Sequence, residues 1–368
     1  MTRSRRDFIQ TSIVAGGALS LGMLGCSNGE VRPARNPLRI LILGGTGFIG
    51  PHQVEYALKR GHTLTLFNRG QTRPHLFPEV EKLRGDRNDN LEALKGREWD
   101  VVIDNPTMVP EWVRFSGEVL KDAVEQYVFI STLSVFASDG IVGQDETGVV
   151  GVYDEAAGEV VTGSAYGGQK ALCEQEAEKL FPGRTTVVRP GLITGPGDPT
   201  VRFPYWPIRV DLGGEVLVPG ESSDPVQWID ARDLGEFTIA LCERSVFGIF
   251  NTCSKPFAMG SMLDEVRDGL GVDATFTWAD EKFLNDERVL NSLGGLGSHL
   301  VRIPEYVGYN QYNVDKAVAA GLTFRPIGET SRDIVAWYNA LPVEERPRGR
   351  MLSAEREAEV LEAWHERV

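Results

Sequence analysis

Short apolar runs recur along the first half of the chain, each followed by a stretch whose apolar residues return every three or four positions. Leu38–Leu43, Thr63–Phe67, Trp99–Asp104 and Tyr127–Thr132 are such runs, and Lys82–Arg87 reads as a further strand with its exit. Runs this short and rich in branched residues suit strands buried on both faces of a parallel sheet. His52–Leu58 and Glu111–Ala123 carry the helical period. Strand alternating with helix predicts an α/β fold with a doubly wound parallel sheet. Beyond Arg189 the alternation loosens, and Pro196, Pro199, Pro204, Pro207 and Pro219 mark loops. Ser261–Leu270 and Ala274–Leu290 read as a smaller C-terminal substrate lobe, and Leu352–Val368 as an amphipathic surface helix with Leu361 and Trp364 inward.

The first strand runs straight into Gly44-Gly45-Thr46-Gly47-Phe48-Ile49-Gly50, and a helix follows. Strand, glycine turn and helix together form the dinucleotide fingerprint of a Rossmann-type sheet. Gly44 permits the tight turn, Gly47 lets backbone approach a pyrophosphate, and Gly50 lets helix pack on strand. The helix start offers unpaired amides and a positive dipole end to phosphate. Thr46, Phe48 and Ile49 belong to the same cofactor-binding turn. At the end of the second strand, where an NAD site carries Asp or Glu, stand Asn68 and Arg69. Asn68 cannot repel a 2′-phosphate and Arg69 can clamp one, so the expected cofactor is NADP, with NAD the alternative. Asp86 falls at the adenine end.

The 368 residues carry a net charge of -14, which argues against a nucleic-acid partner. Cys26, Cys173, Cys242 and Cys253 form no CxxC pair and the histidines are scattered, so no metal site is expected. The last three cysteines read as small buried thiols. Ser4-Arg5-Arg6-Asp7-Phe8-Ile9 resembles a twin-arginine export signal, and Met23-Leu24-Gly25-Cys26 resembles a lipobox. Residues 1–26 are therefore expected to be a leader, the protein periplasmic or membrane-anchored, and Cys26 a lipid anchor. Residues 27–37 read as a tether.

With the glycine turn, the stretches Ser131-Thr132-Leu133-Ser134-Val135-Phe136, Tyr166-Gly167-Gly168-Gln169-Lys170 and Arg189-Pro190-Gly191 resemble the extended short-chain dehydrogenase/reductase family of epimerases, dehydratases and reductases. The resemblance spans about Leu38 to Tyr338 and implies a catalytic set of Thr132, Tyr166 and Lys170. Residues four apart share a helix face, which sets Lys170 beside Tyr166. A free tyrosine titrates near 10. The ammonium and a positive nicotinamide ring would lower it, so that Tyr166 trades a proton as hydride moves. The family pattern also implies that Lys170 bonds the nicotinamide ribose. Gly167-Gly168 predict either a late helix start or backbone lying close to cofactor or substrate.

Leu133-Ser134 replace the acidic pair of the family's dehydratases, and Val226 stands where its sugar-nucleotide epimerases carry a diphosphate-binding arginine. Phe67-Asn68-Arg69-Gly70, Gln227-Trp228-Ile229-Asp230 and Gly321-Leu322-Thr323-Phe324-Arg325-Pro326 look most like a branch related to chloroplast stem-loop RNA-binding proteins. The expected division is 38–190 for the NAD(P)-binding domain, 191–345 for an interleaved substrate lobe and 346–368 for the terminal helix. The expected activity is that of an NAD(P)-dependent oxidoreductase or epimerase on a sugar-like hydroxyl or oxo compound. A plain carbonyl reductase and a non-catalytic nucleotide- or RNA-binding module are the alternatives. Tyr205, Trp206 and Trp228 are candidate stacking surfaces for a sugar ring, or else core. A homodimer through a helix pair is common in such proteins, although nothing in the sequence marks that face.

Overall fold

The computed structural model describes residues 31–290, 303–348 and 351–367. The predicted leader and Cys26 lie outside them. The chain from Pro33 onward forms one unit. The end of the expected tether is tied to its body, since Ala34 N donates to the Arg60 carbonyl at 2.7 Å.

Seven strands build the central sheet: β1 (Arg39–Leu43), β2 (Thr63–Asn68), β3 (Glu81–Arg84), β4 (Trp99–Asp104), β5 (Val124–Ile130), β6 (Thr185–Pro190) and β7 (Gly248–Thr252). Their order is β7-β6-β5-β4-β1-β2-β3 and every pairing is parallel. This is the doubly wound Rossmann arrangement the alternation predicts. The period of two decides the packing. Ile40, Ile42, Leu64 and Leu66 meet Val54 and Ala57 of α1 (Gly50–Lys59) on one face, with Leu234 and Phe237 of the later helix Ala231–Glu243. Leu41, Leu43 and Phe67 meet Val113 and Leu120 of α2 (Pro110–Leu120) and Cys173 and Ala177 of α3 (Ala165–Leu180) on the other. Cys173, Cys242 and Cys253 are buried free thiols, as expected.

A second core fills the C-terminal part of the chain. Strands Gly214–Pro219 and Ala274–Ala279 pair in parallel there, against helices Tyr205–Asp211, Met259–Leu270, Ile327–Ala340 and Ala354–His365. Tyr205, Trp206 and Trp228 lie inside this core, which removes them as sugar-stacking surfaces. The proline pattern also needs correcting, because Pro207 sits in a helix and Pro219 ends a strand. The terminal helix turns Val360 and Leu361 into the core, and its buried Glu357 pairs with Arg209 and accepts from Leu217 N at 2.9 Å. Among the described residues no helix is long and apolar enough to cross a membrane, and no His/Cys/Asp/Glu cluster could hold a metal.

Candidate functional site

Two cavities abut beyond the C-terminal ends of the strands, the place where open α/β sheets take ligands. They share Pro106 and Ile193 in their walls.

The first, of about 440 Å³, is lined by Gly44 through Gly50, Asn68, Arg69 and Asp86, so every residue expected to bind cofactor except Lys170 meets there. Gly44 holds a φ of 103° that an L side chain resists. A Cβ on Gly50 would lie 2.5 Å from the backbone of Gly45, so this glycine sets how closely α1 approaches the turn. A Cβ on Gly47 would meet nothing within 4 Å, which leaves its backbone open to the cavity. The first turn of α1 has no side-chain cap and no acidic residue, so its amides remain available to an anion.

Other side chains there do different work from that expected. Asn68 Nδ2 donates to the Gly44 carbonyl at 3.1 Å, and Asn68 Oδ1 accepts from Gly70 N at 2.8 Å. Asn68 therefore braces the turn from a place in the cavity wall. Asp86 lines the cavity, but its Oδ1 closes a local turn by accepting from Asn88 N at 3.0 Å. Arg69 is exposed with no carboxylate partner among the described residues. Arg84 packs over Gly70, where a Cβ would lie 2.6 Å from its Nε. Arg73 donates to the carbonyls of Thr46 (3.0 Å) and Gly47, clasping the glycine turn from outside.

The sequence reading passed over Asn105, at the exit of β4. Its side chain lines the cavity and is buried, with neither amide oxygen nor nitrogen bonded. A buried unpaired amide is costly, and a polar ligand in the cavity would relieve it. Beside it Arg87 pairs with buried Asp104, which also accepts from Tyr127 Oη at 2.5 Å. Burial raises the Asp104 carboxyl above its ordinary value despite those partners. The open glycine backbone, the uncapped helix start and the orphaned Asn105 amide all suit a dinucleotide.

The second cavity, of about 280 Å³, holds Thr132 and Tyr166 together with Ser134, Arg202, Gln227 and Tyr309. Thr132 follows β5 and accepts from Ser134 N at 3.2 Å. Tyr166 lies in the first turn of α3, which Ser164 caps by accepting from Gly167 N at 3.0 Å. A Cβ on Gly167 would fall 1.9 Å from the Ser134 carbonyl, and one on Gly168 2.8 Å from Tyr153 Cβ. Neither expectation for this pair holds: the helix starts before the glycines, and the close approach is to the chain itself. Buried Arg189 locks α3 to β6 through Glu174 (2.6 Å and 3.0 Å), and Ser131 donates to the same carboxylate.

Lys170 departs furthest from expectation. It is fully buried, lines neither cavity, and donates to the carbonyls of Thr107 (3.0 Å) and Ile130 (2.7 Å) over the Phe129 ring. Its geometry is that of a brace joining the exits of β4 and β5. Burial lowers its pKa to about 8. The Tyr166 phenol is raised above its ordinary value by burial, against a hydrogen bond with Thr132 and the charge of Arg202. At neutral pH the Tyr166 hydroxyl in this cavity wall is therefore protonated.

The model of the NAD dependent epimerase/dehydratase family matches residues 40–114 and 113–253. The chloroplast stem-loop binding protein of 41 kDa b from Arabidopsis thaliana is 26% identical over 217 residues, 55% of this chain and about half (54%) of that relative. A 2-alkyl-3-oxoalkanoate reductase from Stenotrophomonas maltophilia is 28% identical over 268 residues, 64% of this chain and 76% of the reductase. Among solved structures, the Bordetella bronchiseptica enzyme WbmG in complex with NAD superposes with a TM-score of 0.59 at 16% identity, covering 83% of this chain and 96% of that one. With the matched residues spanning more than half of its length, the chain belongs to the NAD dependent epimerase/dehydratase family.

Proposed function

We propose that the chain is an oxidoreductase or epimerase in which the larger cavity holds NADP and the smaller one presents Thr132 and Tyr166 to a sugar-like hydroxyl or oxo compound. The observation that carries this reading is the shared wall at Pro106 and Ile193, which sets the two residues at the end of a dinucleotide-sized cleft. NADP is favoured over NAD by two arginines, Arg69 and Arg84, without carboxylate partners among the described residues, around an Asn68 that brings no charge. WbmG binds NAD in this fold, and the reductase relative acts on an oxo compound. Bound, the nicotinamide supplies or accepts hydride. Thr132 bonds the substrate oxygen, Tyr166 donates or takes its proton, and Lys170 ties the helix that carries Tyr166 to the strand exit before Thr132. The twin-arginine-like leader favours a cofactor loaded before export and retained through turnover, as in an epimerase.

NADPH oxidation against a set of small oxo sugars and oxo acids tests the assignment. Wild type turns over at least one of them, and Tyr166→Phe does not. A non-catalytic role, suggested by the stem-loop binding relative, predicts no turnover and no effect of that change.

A further inference from the structure

Among the described residues, the smaller cavity has one charged residue in its wall, Arg202, and no carboxylate. A tight turn holds it. Buried Asp198 accepts from Thr200 N (2.8 Å) and Thr200 Oγ1 (2.6 Å) through its Oδ1, and Thr200 Oγ1 in turn accepts from Arg202 Nε at 3.0 Å. Only Nε is engaged, so the two terminal guanidinium nitrogens have no protein acceptor among the described residues. The preceding residue, Val201, is buried and holds a φ of 52°. A β-branched side chain avoids that conformation, and such strain persists where the surroundings fix a functional geometry. The guanidinium lies near enough to pull down both the Tyr166 and Tyr309 phenols, although burial outweighs it. Val226, which replaces the expected diphosphate-binding arginine, does not line this cavity. Its size is at the low end for ligand sites, so a nucleotide-linked sugar is a poor fit and a compact anion a good one.

We propose that the cavity takes a small hydroxy or oxo acid whose carboxylate pairs with the terminal nitrogens of Arg202 while its hydroxyl or oxo oxygen meets Thr132 and Tyr166. Two parallel N–H bonds from a planar guanidinium match a carboxylate, which fixes the distance from the acid group to the reacting carbon. The role of that carbon rests on the oxidoreductase reading above; the anion anchor does not.

The test is calorimetric titration of the purified, NADP-saturated chain with short α- and β-hydroxy acids and with their methyl esters. At least one acid should bind, its ester about tenfold or more weakly, and Arg202→Gln should bring the acid down to the level of the ester. Arg202→Lys, which keeps charge but loses the fork, should lie between the two. NADP affinity and melting temperature should be unchanged in both variants, and if Arg202→Gln fails to fold, the ester comparison and the lysine variant still decide. Acids that do not bind, esters that bind as well, or an acid whose affinity survives Arg202→Gln each overturn the anchor. Acid selectivity without hydride transfer to NADP would sink the oxidoreductase reading and leave the anchor standing. Hydride transfer with neutral substrates and no preference for acids would do the reverse.

Discussion

The two cavities share a wall but are built by different means. The larger one is organised around one continuous stretch, Gly44 to Gly50, with the exits of β2, β3 and β4 beside it. The smaller one is made of side chains from segments far apart in the chain: Thr132, Tyr166, Arg202, Gln227 and Tyr309. A site built from local backbone leaves its mark in the order of glycines, because each glycine answers a steric demand. A site built from distant side chains leaves only scattered marks, so the residues that complete it, such as Arg202, emerge with the fold.

Breaking the side-chain cavity should give the largest effect. Tyr166→Phe removes the proton donor, and general acid catalysis is typically worth about 10²–10⁴ in rate. Turnover should fall by that order while NADPH binding, followed by nucleotide fluorescence, stays as it was. Loss of both would make Tyr166 a structural residue.

The backbone cavity should break in two distinguishable ways. Gly50→Ala drives a Cβ into the Gly45 backbone, and overpacking of this kind costs about 1–3 kcal/mol. Both melting temperature and dinucleotide affinity should drop. Gly47→Ala has open space to fill, so its melting temperature should hold while dinucleotide affinity falls. Equal melting losses in the two variants would contradict the assigned roles.

Cofactor choice tests the same cavity more gently. Replacing Arg69 and Arg84 together by alanine should lower the preference for NADPH over NADH by about tenfold, some 1.4 kcal/mol. An unchanged ratio in competitive titrations would return both arginines to the role of solvated turn residues.

The last effect, read as a pH dependence, concerns the Lys170 brace between the exits of β4 and β5. Lys170 titrates at about 8 in the fold and near 10.4 unfolded. The fold disfavours its charged form, so the unfolded chain binds the extra proton between those values. Stability from this group therefore rises as pH climbs from about 8 to about 10.4. Lys170→Met should be less stable throughout, because two buried carbonyls lose their donor, and it should lack that rise. Melting curves of both proteins across that range decide it; parallel curves would mean that Lys170 is solvated.

Much of this was readable in advance, for identifiable reasons. The alternation of buried runs and amphipathic stretches carried the parallel sheet with helices on both faces, and the fold puts Ile40 and Ile42 on one face and Leu41 and Leu43 on the other. The family resemblance led to Thr132 and Tyr166, which the fold brings into one cavity. What spacing could not give was side-chain direction. Lys170 shares a helix with Tyr166 yet points to the carbonyls of Thr107 and Ile130, and Asn68 turns back on Gly44. Tyr205, Trp206 and Trp228 went to the second core because burying large rings outweighs lining a small polar cavity. Asn105 was within reach, since it stands at a strand exit where ligands are expected. Arg202 left no signal before the fold placed it.

The central claim is that the Gly44–Gly50 cavity holds a nicotinamide dinucleotide, and native mass spectrometry of the purified full chain tests it most directly. The account predicts one nucleotide per chain, identified as NADP(H) after release, and its loss in Gly47→Ala. A chain that is empty as purified and stays empty when NADP or NAD is added would contradict it.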